Sequence, residues 1–302
     1  MSSIKTYSPL RYPGGKSSLS KFLKEITTIN SLTGGTYVEL YAGGAGAALN
    51  LLFSDFFSRI HINDYDFRIF SMWNAILNHT EDFLKLVVDT PITIDEWWNQ
   101  KALYENANQT PGLLLGFSTF YLNRTNRSGI IYKAGPIGGF DQKGNYLIDV
   151  RFNKKDLIKR IEKIASYREK ILLTNSDALN IISEFPNLYP EAEKVFLYLD
   201  PPYYKKGQQL YLNNYSHLDH LALANSISRL NPDYKWLISY DNVTEIRNMY
   251  PGLRQSCFNL SYTLQEKKQG SELLIFSPNL VLSESITVNN RTSPLELILN
   301  NE

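Results

Sequence analysis

One cysteine, Cys257, stands in the 302-residue chain, which excludes an intrachain disulfide and a metal cage built from thiolates. Histidine is also scarce, with four in all. His217 and His220 are three apart in a helical pattern, but no third ligand accompanies them, so no metal site is expected. No run approaches the roughly 18 apolar residues of a membrane helix, and the N-terminus lacks the apolar core of a signal peptide. These absences predict a soluble, cytoplasmic protein with no membrane partner. Net charge is nearly absent too, at a formal +1, so the whole-chain balance announces no nucleic-acid partner.

What the chain does have is tyrosine, twenty in all within a 13% aromatic share. Aromatics are core material first, and beside basic residues they also suit base stacking. Charge is unevenly placed. Residues 81–105 hold six acidic and two basic side chains, whereas residues 121–163 hold ten basic and four acidic. A local basic stretch serves phosphates even in a neutral chain, and it equally describes a solvated helix face.

Strand-like runs recur, each handing over to a helical pattern. They are TYVEL (36–40), RIHIND (59–64), KILLTNSD (170–177), KVFLYLD (194–200) and YKWLISYD (234–241). SHLDHLALANSISRL reads as a capped amphipathic helix with Ser216 as N-cap. SCFNLSYTLQ and SELLIFS, on either side of EKKQG, read as a hairpin. Alternating strands and helices predict an α/β fold with a mostly parallel sheet, closed here by an antiparallel C-terminal hairpin. The rhythm breaks between about residues 81 and 152, which are read as an inserted lobe, part helix and part loop, within a core made of 1–80 and 153–302. The last twenty or so residues, polar around TVNNRTSP, read as a loosely attached tail.

RYPGGKSS (11–18) looks like a phosphate-binding loop, but the triphosphate motif needs a glycine where Leu10 stands, so it is half a motif. YVELYAGGAG (37–46) follows a strand and opens a helix, where glycines let the backbone approach a ligand. Asp64 lies twenty-one residues beyond Gly43, the spacing at which an acid meets ribose hydroxyls. By itself this suits NAD, flavin or S-adenosylmethionine. LYLDPPYY (197–204) is sharper. An apolar strand carries Asp200 to its carboxyl end, Pro201 and Pro202 fix the backbone, and Tyr203 offers a flat face. Two acceptors and an aromatic suit a planar ring bearing an exocyclic amine.

In this order the motifs resemble the Dam-like (D12) class of DNA adenine-N6 methyltransferases over roughly residues 7–277. The resemblance implies a Rossmann-like core that uses S-adenosylmethionine without a metal, yields S-adenosylhomocysteine, and carries a DNA-recognition lobe at 81–152. It places Tyr12, Gly14, Gly15 and Lys16 around the cofactor and target base. Glu39, Tyr41, Gly43, Gly44 and Asp177 join them around the cofactor. Asp64 is implied to hold the ribose, with Asp66 as competitor. Ala45 fills the family's second glycine place, which leaves the register of the turn open. Asp200 and the Pro201 carbonyl are implied to bind the adenine amine, with Pro202 fixing the loop and Tyr203 stacking on the ring.

The lobe's YLNRTNRSG (121–129) resembles the family's DNA-facing stretch, which implies that Asn123, Arg124, Asn126 and Arg127 contact double-stranded DNA. Arg124 and Arg127 are spaced for one helix face. Lys205 and Lys206, after the prolines, are candidate phosphate contacts. RNA adenine, cytosine N4 and a protein amide stay open as substrates, as does a silent DNA-binding protein on the same fold. The recognition sequence, and any restriction-nuclease or phage context, are not legible.

Overall fold

The computed structural model describes residues 7–11, 16–107, 111–205, 215–263, 267–289 and 291–298, with side chains given except at 259–263 and 267–270. Five apolar runs form parallel strands: β1 (Thr36–Glu39), β2 (Arg59–Asn63), β3 (Ile171–Thr174), β4 (Val195–Leu199) and β5 (Lys235–Asp241). The expected hairpin is β6 (Gln255–Thr263) and β7 (Lys267–Phe276), and the sheet runs β3-β2-β1-β4-β5-β7-β6, with β7 antiparallel to both of its neighbours and the other pairs parallel. The order in which successive strands are laid down reverses between β1 and β4, and ligands of open parallel sheets bind outside the carboxyl ends at such a point.

The helices are α1 (Ser20–Ile29), α2 (Gly46–Leu52), α3 (Phe67–Asn78), α4 (Thr80–Asp89), α5 (Ile94–Glu105), α6 (Leu113–Thr125), α7 (Lys154–Ala165), α8 (Ala178–Ser183), α9 (Phe185–Leu188), α10 (His217–Ser228) and α11 (Thr244–Met249). Side chains alternate across a strand, so both faces of this sheet are buried. Tyr37, Phe196, Tyr198 and Leu237 join one apolar cluster, while Val38, Leu197, Leu199 and Ile238 join the other. Ser216 caps α10 as expected, and Asp219 returns the bond to its backbone N–H, closing a capping box.

The helices of residues 81–152 do not close a core of their own. Phe83, Phe117, Phe120 and Tyr121 sit in the same apolar cluster as Trp73 of α3. Gly116 explains the close approach: a Cβ there would lie 2.5 Å from the Ser71 carbonyl oxygen, so α6 packs directly against the α3 backbone. The expectation of a loose tail is corrected. Ser285–Val288 and Arg291–Pro294 pair as an antiparallel hairpin, with Ile286 and Val288 buried in the main cluster. Two β-branched side chains on one face of a short strand outweigh its polar neighbours.

Candidate active site

Each of four parallel strands delivers an acid to the carboxyl edge of the sheet, in the spatial order Asp177, Asp64, Glu39, Asp200. All four line one cavity of about 850 Å³, within the size range of small-molecule sites. Glu39 ends β1 and is buried; its Oε2 accepts the Ala48 N–H of α2 at 3.2 Å. No cation lies within 4 Å of it among the described residues. Burial first, then the nearby Asp200 charge, pushes the Glu39 carboxyl up to about 8. Burial and Asp66 raise Asp64 to about 7.

Asp64 and Asp66 both line the cavity and make different bonds. Asp64 Oδ2 accepts the Gly43 N–H at 2.8 Å, tying the end of β2 to the glycine turn. Asp66 instead caps α3 by accepting the Arg68 N–H at 2.9 Å. Asp177 both lines the cavity and caps α8, accepting the Leu179 N–H at 2.8 Å.

The turn's register is also visible. Gly43 and Ala45 both hold φ of +46°, and Ala45 is the N-cap of α2. An L-residue there carries a strain of roughly 1–2 kcal/mol, so the alanine fills a glycine-favouring place without changing the path. Trp73, fully buried in α3, donates its Nε1–H to the Gly43 carbonyl at 2.9 Å and fixes the turn from below. Tyr41 shares a 2.8 Å hydroxyl–hydroxyl bond with Tyr215, and Gly44 lines the cavity.

Around Asp200 the side chains form a closed network. Ser239 donates to Asp200 Oδ1 at 2.7 Å, and Lys16 Nζ approaches the same oxygen at 3.2 Å. Lys16 also donates to Glu272 Oε2 at 2.9 Å and to the Tyr203 hydroxyl at 3.0 Å, while Tyr203 donates to Glu272 Oε1 at 2.5 Å. Burial alone would lower the Lys16 ammonium, but the Asp200 and Glu272 carboxylates outweigh it and hold it well above the ordinary lysine value. Burial raises Asp200 to about 6, against the pull of Lys16 and with the push of Glu272. The loop leaving Pro202 is clamped by Asp241, whose carboxylate accepts the N–H groups of Tyr204 and Lys205 at 2.8 and 2.9 Å.

Several expected contacts need correction. Tyr203 is 8% exposed, and among the described residues Asp200 and Pro202 line the cavity while Pro201 and Tyr203 sit behind them. Asn123 and Asn126 are fully buried. Asn123 accepts the Arg11 N–H at 2.7 Å and donates to the carbonyls of Arg11 and Gly129, and Asn126 bonds Trp97 Nε1 and the Ile130 carbonyl. Both side chains brace the loop from inside the fold. Arg124 and Arg127 do not share a helix face, because α6 ends at Thr125 and Ser128 turns to φ +56°. Arg127 is exposed and bonds the Pro136 carbonyl; Arg124 is buried and lines the cavity. Lys205 is exposed. Tyr12, Gly14, Gly15 and Lys206 lie outside the described residues.

Against known families, the sequence matches the D12 class N6 adenine-specific DNA methyltransferases over residues 12–265. The chain belongs to this family. The methyltransferase is therefore an enzyme of DNA adenine methylation, and its family implies S-adenosylmethionine as methyl donor. No curated protein matches it significantly. Two solved structures of the rRNA methyltransferase aviRa from Streptomyces viridochromogenes are similar. One has 9% identity and a TM-score of 0.38 over 89% of this chain and 88% of that one; the other has 8% and 0.34 over 86% and 85%.

Reading residue types alone missed several parts of the methyltransferase's site. Glu272 is one, although an acid inside the apolar run SELLIFS was a usable signal. Ser239, Asp241 and Trp73 are others. No helix of the described residues is long and apolar enough to cross a membrane, and none of their His, Cys, Asp or Glu side chains group into a metal site. His220 instead lies among tyrosines, its Nδ1 2.9 Å from the Tyr240 hydroxyl, and burial lowers it to about 4.

Proposed function

We propose that the methyltransferase transfers a methyl group to the N6 amine of an adenine extruded from double-stranded DNA, at a specific sequence, with residues 200–203 holding the base. The observation that carries this reading is the convergence of Asp177, Asp64, Glu39 and Asp200 on one cavity in sheet order. Three of these acids divide naturally between an adenosine-bearing cofactor and one end of the site, while the fourth opens the two-proline loop.

The donor set suits S-adenosylmethionine. Asp64 stands where a ribose is met, beside the turn it holds. Asp177 stands at the end of β3 for the adenine amine. Glu39, buried with a raised pKa and with no cation within 4 Å among the described residues, suits the positively charged methionine end. When bound, the cofactor supplies an electrophilic methyl group on a sulfonium.

Asp200 is the residue that handles the acceptor amine. Among the described residues Ser239 and Lys16 engage its Oδ1, which leaves Oδ2 for an amine N–H, and the Pro201 carbonyl is the second acceptor. Holding both N–H bonds positions a weakly nucleophilic nitrogen, and the gain comes from orientation and fixed charge. The bonds of the Tyr203 hydroxyl to Lys16 and Glu272 hold the ring by its edge, which fixes its plane for stacking on the base. Drawing an adenine out of the duplex costs a few kcal/mol, offset by these contacts. Residues 81–152 serve as the target-recognition lobe, with its Arg124 and Arg127, and Lys205 from the loop after Pro202, facing the nucleic acid.

The raised acids give a pH signature. With a folded pKa of about 8 against an ordinary 4.5, Glu39 keeps a proton that the unfolded chain releases. Its contribution to stability is therefore full in acid and is lost as pH rises to about 8. Relative to Glu39→Gln, the unliganded enzyme should lose up to about 1.4 kcal/mol per pH unit between pH 5 and 8 and then level off. Cofactor binding at pH 7 should release protons as its positive charge draws Glu39 into ionisation. Calorimetry in buffers of different ionisation enthalpy measures this, and equal proton release in the native and Glu39→Gln proteins would remove Glu39 from the cofactor site. The substrate assignment is tested by transfer of labelled methyl onto duplex DNA and onto RNA. Transfer to DNA supports it, and transfer to RNA alone overturns it.

A further inference from the structure

The cavity that gathers the acids is also lined by Arg11, Arg124, Arg151 and Arg160. Arg124 is 9% exposed, yet its Nε has no hydrogen-bond partner among the described residues; its Nη2 donates to the Arg151 carbonyl. Arg160 donates to the Ser8 carbonyl at 2.9 Å and pairs with Asp156 at 2.7 Å. Among the described residues, that is the one ion pair within 4 Å that any of the four arginines makes. Burial, followed by the charges of Arg11 and Arg160, pushes Arg124 down to about 9, and burial with Arg151 lowers Arg11.

Gathering guanidinium groups in a concave, partly desolvated place is costly unless an anion completes it. The cluster is also braced. Asn123 takes the Arg11 N–H and donates to the Arg11 carbonyl, joining the N-terminal segment to the end of α6, and Arg11 Nη1 donates to the Asn126 carbonyl at 3.1 Å. Such bracing fixes the forks before a ligand arrives.

We propose that these four arginines form a phosphodiester-binding site that grips a phosphate flanking the target nucleotide while the base lies against Asp200. The assignment rests on the adenine-methylation reading of the same cavity. A nucleotide drawn from the duplex brings its flanking phosphates to the mouth of the pocket that takes its base. Planar guanidinium forks match phosphate oxygens in pairs. The chain as a whole is almost neutral, so the charge for this contact must be local. The buried Arg124 Nε supplies a donor whose partner the ligand would provide.

The test compares 2′-deoxyadenosine with 2′-deoxyadenosine 3′,5′-bisphosphate, titrated calorimetrically into the full chain with S-adenosylhomocysteine present. The bisphosphate should bind about tenfold more tightly or better, and that advantage should shrink to about threefold or less in Arg151→Gln and Arg124→Met. Arg151 is exposed, so its variant decides the matter if the Arg124 variant does not fold. If the nucleoside binds but its phosphates add nothing, or add as much in Arg151→Gln, the phosphate assignment falls alone. If neither compound binds, the base-pocket reading falls and takes the proposal with it.

Discussion

Asp200→Ala is expected to lower single-turnover methyl transfer by roughly a thousandfold, the scale on which removing one fixed polar contact to a reacting group acts. Cofactor affinity should change by less than about threefold, a fraction of a kcal/mol. The separation follows from sheet order. Asp177 and Asp64 follow β3 and β2, Glu39 ends β1, and Asp200 stands beyond them after β4. The fold should survive the change, because Lys16 keeps Glu272 and the Tyr203 hydroxyl as partners. Loss of transfer and cofactor binding together would place Asp200 in the cofactor site instead.

The second large effect is expected at Trp73. Trp73→Ala removes a fully buried indole and should cost about 3–5 kcal/mol of unfolding free energy, as large-to-small core changes do. That loss alone would show only packing. Trp73→Phe keeps most of the volume but removes the Nε1–H bond to Gly43, at about 1–2 kcal/mol. If the bond holds the turn for the cofactor, S-adenosylmethionine should bind about tenfold more weakly to Trp73→Phe. Unchanged affinity, measured by calorimetry alongside denaturant unfolding, would reduce Trp73 to a core residue.

The strands and the acids at their ends were legible because both signals are local. An apolar run of four to seven residues closing on Glu39, Asp64, Asp177 or Asp200 is visible without knowing its neighbours. The network around Asp200 was not legible, because Glu272 meets Lys16 across 256 positions and only the return of β7 alongside β5 brings them together. Reading Tyr203 as a stacking face followed its residue type, whereas the position of its hydroxyl depends on those distant partners.

The lobe hid for a different reason. α6 is buried on nearly every side, from Leu115 to Thr125, so it carries no amphipathic period to announce itself. Asn123 and Asn126 looked like surface groups by type, yet buried amides are kept where loop carbonyls and N–H groups need partners. The spacing of Arg124 and Arg127 assumed a helix that ends at Thr125, where Asn126 turns to extended backbone. Four arginines from the N-terminus, α6, a loop and α7 share one cavity, a grouping that no sequence window contains.

The central claim is that the Asp200 cavity methylates adenine at N6 in duplex DNA. Mass spectrometry of nucleosides digested from DNA treated with the purified enzyme and isotopically labelled S-adenosylmethionine tests it most directly. Labelled N6-methyl-2′-deoxyadenosine should appear with the native enzyme and be absent with Asp200→Ala. Labelled N4-methyl-2′-deoxycytidine in its place, or N6-methyladenine formed equally well by Asp200→Ala, would contradict the account.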